Sequence, residues 1–433
     1  MNDTLRASPS RVSPPPPHNF ILLLIGQTVT VFGSSLLRFA LSLYILDLTG
    51  RADLFATLFA LSSIPVLLSP IGGAISDRAS RKMLMVAYDF TCAVITIAFL
   101  LALLSHQASV LVIGIVMIGL GFVGAMETPN GTACIPLLVS EERLASANGS
   151  IQVIQSLSGI VAPVIGGIAY GTLGVNALVL ASGVAFALAA IMETFIAIPH
   201  EQRARTHSMV RTIAGGICEG FRHVSQDTTI VKLLIVAAFL NFVLAPCLIV
   251  AAPLVLRMTL HTSDTVYGMS MGLMETAMII GALTAGFFTK SMRNDTAWRY
   301  VLSIAILFLP MTLATTPILV SITVTITAWV PLTMFLISIM LVAALTSILN
   351  IFAIVQIQTR TPEKHLGKVM AIVLMVAQCV APIGQMLYGA AFKHLSAGAY
   401  LPLLIAGGAL LLVTCLTKSL FPQHITVHKQ GDQ

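Results

Sequence analysis

Charge is what this sequence has least of. Of its 433 residues only 9% are Asp, Glu, Lys or Arg, against about a quarter in an ordinary water-soluble domain. So few charges cannot cover a water-facing surface, which excludes a soluble globular fold. Aromatic residues are also sparse, at 7%, so aliphatic side chains must supply the bulk. The six cysteines (Cys92, Cys134, Cys218, Cys247, Cys379 and Cys415) are scattered without a Cys-x-x-Cys pair. They read as small buried hydrophobes, and neither a metal site nor a cofactor is expected. The phosphate cradle of an ATP-driven pump is missing too. The one Gly-Lys step, at Gly367 and Lys368, lacks its earlier glycine and runs into Val369. The short loops hold no cluster of acids or histidines, which leaves a membrane-embedded enzyme as a remote alternative.

What is present is apolar length. Hydrophobic residues make up 57% of the chain. They gather into twelve runs at 19–46, 53–76, 83–104, 109–129, 145–170, 174–198, 230–256, 266–289, 297–317, 328–356, 368–391 and 399–420. A bilayer-crossing helix needs ~20 such residues. The softest division separates the ninth run from the tenth, because 300–358 is apolar almost throughout. Such uniform runs are unlike the alternation of a membrane β-barrel, and backbone groups in lipid must bond within their own segment. The expected fold is therefore all-α and membrane-integral, with twelve transmembrane helices.

Six runs precede the longest polar stretch and six follow it. This predicts a disordered cytoplasmic tail over 1–18, a six-helix half over 19–198, a linker over 199–229, a second six-helix half over 230–421 and a cytoplasmic tail over 422–433. The first tail has four consecutive prolines, which a helix interior does not tolerate, and it lacks the short apolar core of a secretory signal. Within the linker, Ile213, Ile217, Phe221 and Val224 share one helical face, as in a helix lying on the membrane surface. An internal echo supports duplication: "IVAPVIGG" (160–167) matches "CVAPIGQ" (379–385) in kind. Two matched halves around a linker suit a rocking transporter with its substrate site between them.

The bases give orientation. With the N-terminus inside, nineteen lie in cytoplasmic segments and three, Arg51, Arg257 and Lys393, in outer connections. Both termini are then cytoplasmic and the protein sits in the inner membrane. The net charge of +6 reflects that topology and anionic lipid headgroups, and it gives no support for a nucleic-acid partner.

One short stretch, "GGAISDRASRK" (72–82), packs an acid and three bases between apolar runs. Its glycines let a helix end approach a neighbour. Asp77 would suit the N-terminus of another helix, and Arg78, Arg81 and Lys82 suit lipid phosphates or nearby carboxylates. A loop that only sets topology would need the bases but not the Gly-x-x-x-Asp-Arg order. Gly73, Asp77, Arg78, Arg81 and Lys82 resemble the motif between the second and third helices of the major facilitator superfamily, and the resemblance covers essentially the whole chain. It implies the major facilitator fold, with Asp77 latching onto 363–368 at the start of the eleventh helix in an outward-facing state. Asp89, two turns into the third span, is expected to pair with Arg78 or Arg81 as part of that latch.

A second pattern, in the fifth run, places Gly149, Ser158, Ala162, Pro163, Gly166 and Gly167 where drug:proton antiporters of that superfamily carry glycines and a Gly-Pro. Ser158 and Ala162 replace two glycines but remain small, so close packing is expected to survive. The stretches 38–55, 128–149 and 350–371 resemble the branch that includes enterobactin exporters and macrolide efflux proteins. One departure stands out: residues 109–129 hold no base, so the fourth-helix arginine of other proton antiporters is absent.

Away from most of the run ends, the spans contain the charges Arg38, Asp89, Glu127, Glu193 and Glu275. Each costs ~2.5–3.5 kcal/mol even on the lenient insertion scale, so each needs a reason. Glu275 stands nine residues beyond Val266, ~14 Å along a helix and near mid-membrane. A carboxyl group there could exchange protons, hold a cationic substrate, or simply hydrogen-bond between helices. Glu127 and Glu193 lie near cytoplasmic ends within reach of water, with Glu127 a candidate proton exit. Arg38, in the outer part of the first span, could bind an anionic group, neutralise Glu275, or snorkel to the surface. The combined expectation is a monomeric secondary transporter that exports a small amphipathic compound by alternating access in exchange for protons. Its partners would be that small-molecule substrate, protons and membrane lipids. The alternative is a facilitator of the same fold that moves a lipid, peptide or siderophore without protons.

Overall fold

A computed structural model describes residues 17–76, 79–140, 143–198, 209–324, 329–395 and 399–422. Among these the chain is helical almost throughout. The first group of helices comprises α1 (Pro17–Thr49), α2 (Ala52–Ser63), α3 (Ser69–Ser76), α4 (Arg81–Leu104), α5 (Val110–Leu138) and α6 (Leu144–Glu193). Next comes α7 (Met209–Gln226), in the expected linker. The second group comprises α8 (Thr228–Pro246), α9 (Ala252–Leu254), α10 (Asp264–Ser291), α11 (Ala297–Ala314), α12 (Pro317–Val324), α13 (Trp329–Arg360), α14 (Glu363–His394) and α15 (Tyr400–Leu420).

Local chemistry explains several boundaries. Ser80, Ser109 and Ser263 cap α4, α5 and α10 by accepting from backbone N–H groups three residues on, and Asp227 caps α8 in the same way. These contacts satisfy amides that an isolated helix start leaves open. Pro65 falls in a tight turn, Ile64–Leu68, that joins α2 to α3. Pro246 and Pro253 flank widened turns that join α8 to α9 and α9 to the 255–259 segment. Proline removes an amide donor and crowds the preceding turn, so these rods bend where it occurs.

Eleven helices among the described residues are long and apolar enough to cross a membrane. The fifth of them, Ser146–Glu193, has 48 residues, about 72 Å at 1.5 Å per residue and far more than a bilayer core. Gly174 interrupts it with φ +76° and ψ 177°, a conformation that glycine alone adopts without strain. Ala147 and Ile196, near its two ends, pack in one cluster with Leu23. So α6 doubles back, at the gap between the runs 145–170 and 174–198. Side chains such as Leu104, Leu111, Leu173, Leu283 and Leu412 face outward and are mostly exposed, as lipid-facing residues must be.

The groups meet along two seams. In one, α6 lies on α10: a Cβ at Gly268 would overlap the Pro163 carbonyl, and one at Gly167 would overlap the backbone of Asp264. In the other, α2 lies on α14, where Gly389 fits against Ala56 and the backbone at Ala52. One large hydrophobic cluster spans both groups, from Leu36 and Ala162 to Val250 and Tyr267. At the end that carries the basic loops the core splits. Leu23, Met85, Cys134 and Leu138 form one cluster, while Val224, Leu233, Val369 and Ile372 form another. The apolar core is thus continuous at one end and divided at the other.

Candidate functional site

Arg38 of α1 and Glu275 of α10 come together where the two groups meet, attracting one another across the seam. The Glu275 carboxyl lies against Gly159 of α6, with Oε2 3.4 Å from where a Cβ would stand. Arg38 keeps accessible surface. The sequence left Arg38 three readings, and the structure places it opposite Glu275.

Two layers close the space beyond this pair. Phe39 and Tyr267 have ring centroids 5.3 Å apart, and the Tyr267 and Ser42 hydroxyls meet at 3.3 Å in a buried contact. Farther along, Arg257 pairs with Asp47 across the groups and with Asp264 in its own group, both at 2.7 Å. Tyr170 donates to Asp47 at 2.9 Å. A second crossing pair joins Lys393 to Asp53 at 2.9 Å, with Arg51 on the same carboxylate at 2.7 Å. Hydrogen bonding to Asp53 holds the Arg51 guanidinium above its ordinary pKa. The three bases assigned to outer connections therefore all engage acids, and two of them bind the groups together. Counting bases alone missed Asp47, Asp53 and Asp264, although each lies within a turn or two of a span end.

The other intramembrane charges gather elsewhere. Asp89, Glu127 and Glu193 lie within electrostatic reach of one another inside the first group. Asp89 accepts a 2.8 Å hydrogen bond from Thr30, and its other oxygen has no hydrogen-bond partner. The expected pairing with Arg81 does not occur: the Arg81 guanidinium donates to the Ala133 carbonyl at 2.7 Å. Two turns of helix carry Asp89 down to the level of Thr30, out of that arginine's reach. Glu193, expected within reach of water, is 2% exposed, because α1 packs over it at Gly26.

Of the charged loop, Asp77 and Arg78 lie outside the described residues, and so does the proposed latch through Asp77. The flanking residues show how the loop docks. A Cβ at Gly72 would press on the Met126 backbone and Pro129, whereas Gly73 has more room. Ser76 donates to Asn130 at 2.7 Å, and Asn130 donates to the Arg81 carbonyl at 3.0 Å. Lys82 is half-buried at the start of α4. In the fifth-helix pattern, Ser158 and Ala162 are buried, Gly166 lies against Phe39 and Gly167 against α10, while Gly149 faces open space. Gly159, Gly268 and Gly272, which complete this seam, belong to no motif read from the sequence.

Two groups of membrane-crossing helices, with opposite charges facing at their seam, are the architecture of a membrane transporter. The chain belongs to the Major Facilitator Superfamily, whose profile matches residues 23–329. It is 25% identical over 377 residues to macrolide efflux protein A of Streptococcus pyogenes, covering 85% of this chain and 88% of that protein. It is also 25% identical to the enterobactin exporter EntS of Escherichia coli, over 69% of this chain and 67% of the relative. Among solved structures, a variant of the nucleoside transporter NupG superposes with a TM-score of 0.74 at 12% identity, over 93% of this chain and all of that one.

Proposed function

We propose that this multi-pass membrane protein exports a small amphipathic compound by alternating access, driven by proton influx. The observation that carries the reading is the Arg38–Glu275 pair. It joins the two groups within the spans, and Phe39, Tyr267 and the Asp47–Arg257–Asp264 bridge lie between it and the end away from the basic loops. With the basic loops and both termini in the cytoplasm of an inner membrane, this conformation faces inward. A compound entering from the cytoplasm or inner leaflet meets one fixed positive and one fixed negative group. Such a pair suits an amphipathic molecule that carries a basic amine or an acidic phenol. Rocking of the 19–198 half against the 230–421 half would break the outer bridges and release it outside. The relatives named for macrolide efflux and enterobactin export are consistent with that range of cargo. The protein is read as a monomer, since each group already buries its seam against the other.

The test uses inside-out vesicles energised to an acidic interior, with a pH-sensitive dye read as compounds are added. Macrolides, lipophilic cations and catecholate siderophores form the panel. A compound that collapses the gradient with the wild type but not with Glu275→Gln supports proton-coupled export through this pair. Movement of a labelled compound with no change in the gradient would replace antiport by facilitated transport.

A further inference from the structure

We propose that Asp89, Glu127 and Glu193 form a proton-holding site inside the first helical group, and that the driving proton binds there rather than at Glu275. This rests on the proton-coupled reading of function above. The three carboxyl groups come from α4, α5 and α6 and act on one another. From α1 the cluster meets neutral groups only: Thr30, which donates to Asp89, and Gln27. Gln27 stands between Gly131 of α5 and the Glu193 carboxyl. Tyr88 and Cys92 of α4 and Cys134 of α5 make up the titratable surroundings, Tyr88 facing Glu127, Cys92 facing both Glu127 and Asp89, and Cys134 facing Glu193. Arg81, at the start of α4, acts on Cys134 and donates to the Ala133 carbonyl.

Independently of the clustering, polar atoms there lack partners. Asp89 and Glu193 are 1% and 2% exposed, and Asp89 Oδ1 and Glu193 Oε2 each lack a hydrogen-bond partner. The same α4–α6 seam continues upward through Thr96 and Ser182, both fully buried with unpartnered hydroxyls. A buried carboxylate oxygen without a donor is strongly disfavoured as an anion, and three anions at close quarters disfavour one another further. Among the described residues no three such side chains converge closely enough to hold a metal ion. The ion that satisfies these oxygens is the proton.

Glu275 differs in kind, because a base, Arg38, stands opposite it and offsets part of the cost of its burial. Glu127 is the half-buried member of the triad, which makes it the group that exchanges with water at the open end. It also sits in the α5 segment on which the charged loop docks, between Met126 against Gly72 and Asn130 against Ser76. Charging or neutralising Glu127 therefore acts on the loop that the motif occupies.

The test is infrared pH-difference spectroscopy of the purified protein in lipid nanodiscs, following the carbonyl stretch of protonated carboxyl groups. The expected result is a wild-type band that diminishes in Asp89→Asn and in Glu193→Gln and persists in Glu275→Gln. A band that is unchanged in the first two variants, or lost only with Glu275→Gln, overturns the proposal. Thr30→Val keeps every carboxyl group and guards against misfolding; it is expected to shift the pH midpoint of the band, and an unmoved midpoint counts against the site. In vesicles, Asp89→Asn is expected to lose transport of labelled erythromycin driven by a pH gradient while keeping erythromycin counterflow. Persistence of gradient-driven transport in that variant overturns the assignment. A wild-type protein that ignores the gradient while showing the band would instead defeat the coupled-export reading and leave the proton site standing.

Discussion

Asp47 and Arg257 lie 210 residues apart in the chain and 2.7 Å apart in space. With Lys393 and Asp53 they are the charges that tie the first helical group to the second at the sealed end. The arginine is 16% exposed and its aspartate 41%, so the bridge stands at the margin between solvent and core. Pairs of this kind contribute about 0.2–1 kcal/mol. Arg257→Gln is accordingly expected to raise the population open at this end about two- to five-fold, the factor that such an energy sets. Distances between spin labels placed across the sealed end would show it. An unchanged distribution would mean that the aromatic layer alone holds the end shut.

The α6–α10 seam gives a sharper expectation, because backbone meets backbone there. A Cβ at Gly268 would overlap the Pro163 carbonyl, whereas one at Gly149 meets nothing within 4 Å. Gly268→Ala should lower stability by about 1–3 kcal/mol, the usual cost of overpacking a filled site. Gly149→Ala should be neutral or slightly stabilising, since alanine is the better helix former. Thermal unfolding in detergent distinguishes them, and equal midpoints would contradict the packing described.

The linker helix is fastened more lightly. Glu219 of α7 accepts from Lys368 and faces His365 at 3.3 Å, His223 and His365 stack at 4.4 Å, and Gly220 lies on the Lys368 carbonyl. Val224 is buried and Phe221 exposed, while the side chains of Ile213 and Ile217 lie outside those described. Charge reversal in Glu219→Lys should loosen α7 with less than about 1 kcal/mol at stake. Hydrogen exchange over Met209–Gln226 should accelerate severalfold, while the midpoint of global unfolding stays put. Slow exchange in the variant would show that apolar contact, not charge, holds the helix.

Apolar run length made the helices legible, including the turn in α6, because a bilayer fixes how long a crossing must be and 170–174 interrupts the apolar pattern. The charged loop was legible through its spacing. Partnerships between distant residues were not. Nothing near Asp89 in the chain shows that it turns toward Thr30 and Glu193 and away from Arg81, since that depends on how α4 rotates against α1 and α6. Glu193 looked wet from its place near a span end, and α1, which covers it at Gly26, lies 167 residues earlier. Gly268 carries no motif at all; its need for a bare backbone arises only once Pro163 lies opposite.

The central pair can be tested without knowing the cargo. Arg38 and Glu275 attract across the seam, so removing either charge leaves the other uncompensated at mid-membrane. Breaking a fully buried pair costs about 3–5 kcal/mol. Here Arg38 keeps open surface, and water reaching it offsets part of that cost. Glu275→Gln and Arg38→Gln are each expected to lower stability by about 1–3 kcal/mol, and the double variant by less than the sum, leaving a coupling of about 0.5–3 kcal/mol. Unfolding of the four proteins in one detergent at one pH supplies the cycle. Strict additivity would show that the two charges do not sense each other in this conformation. The site between the groups would then have to be sought away from this pair.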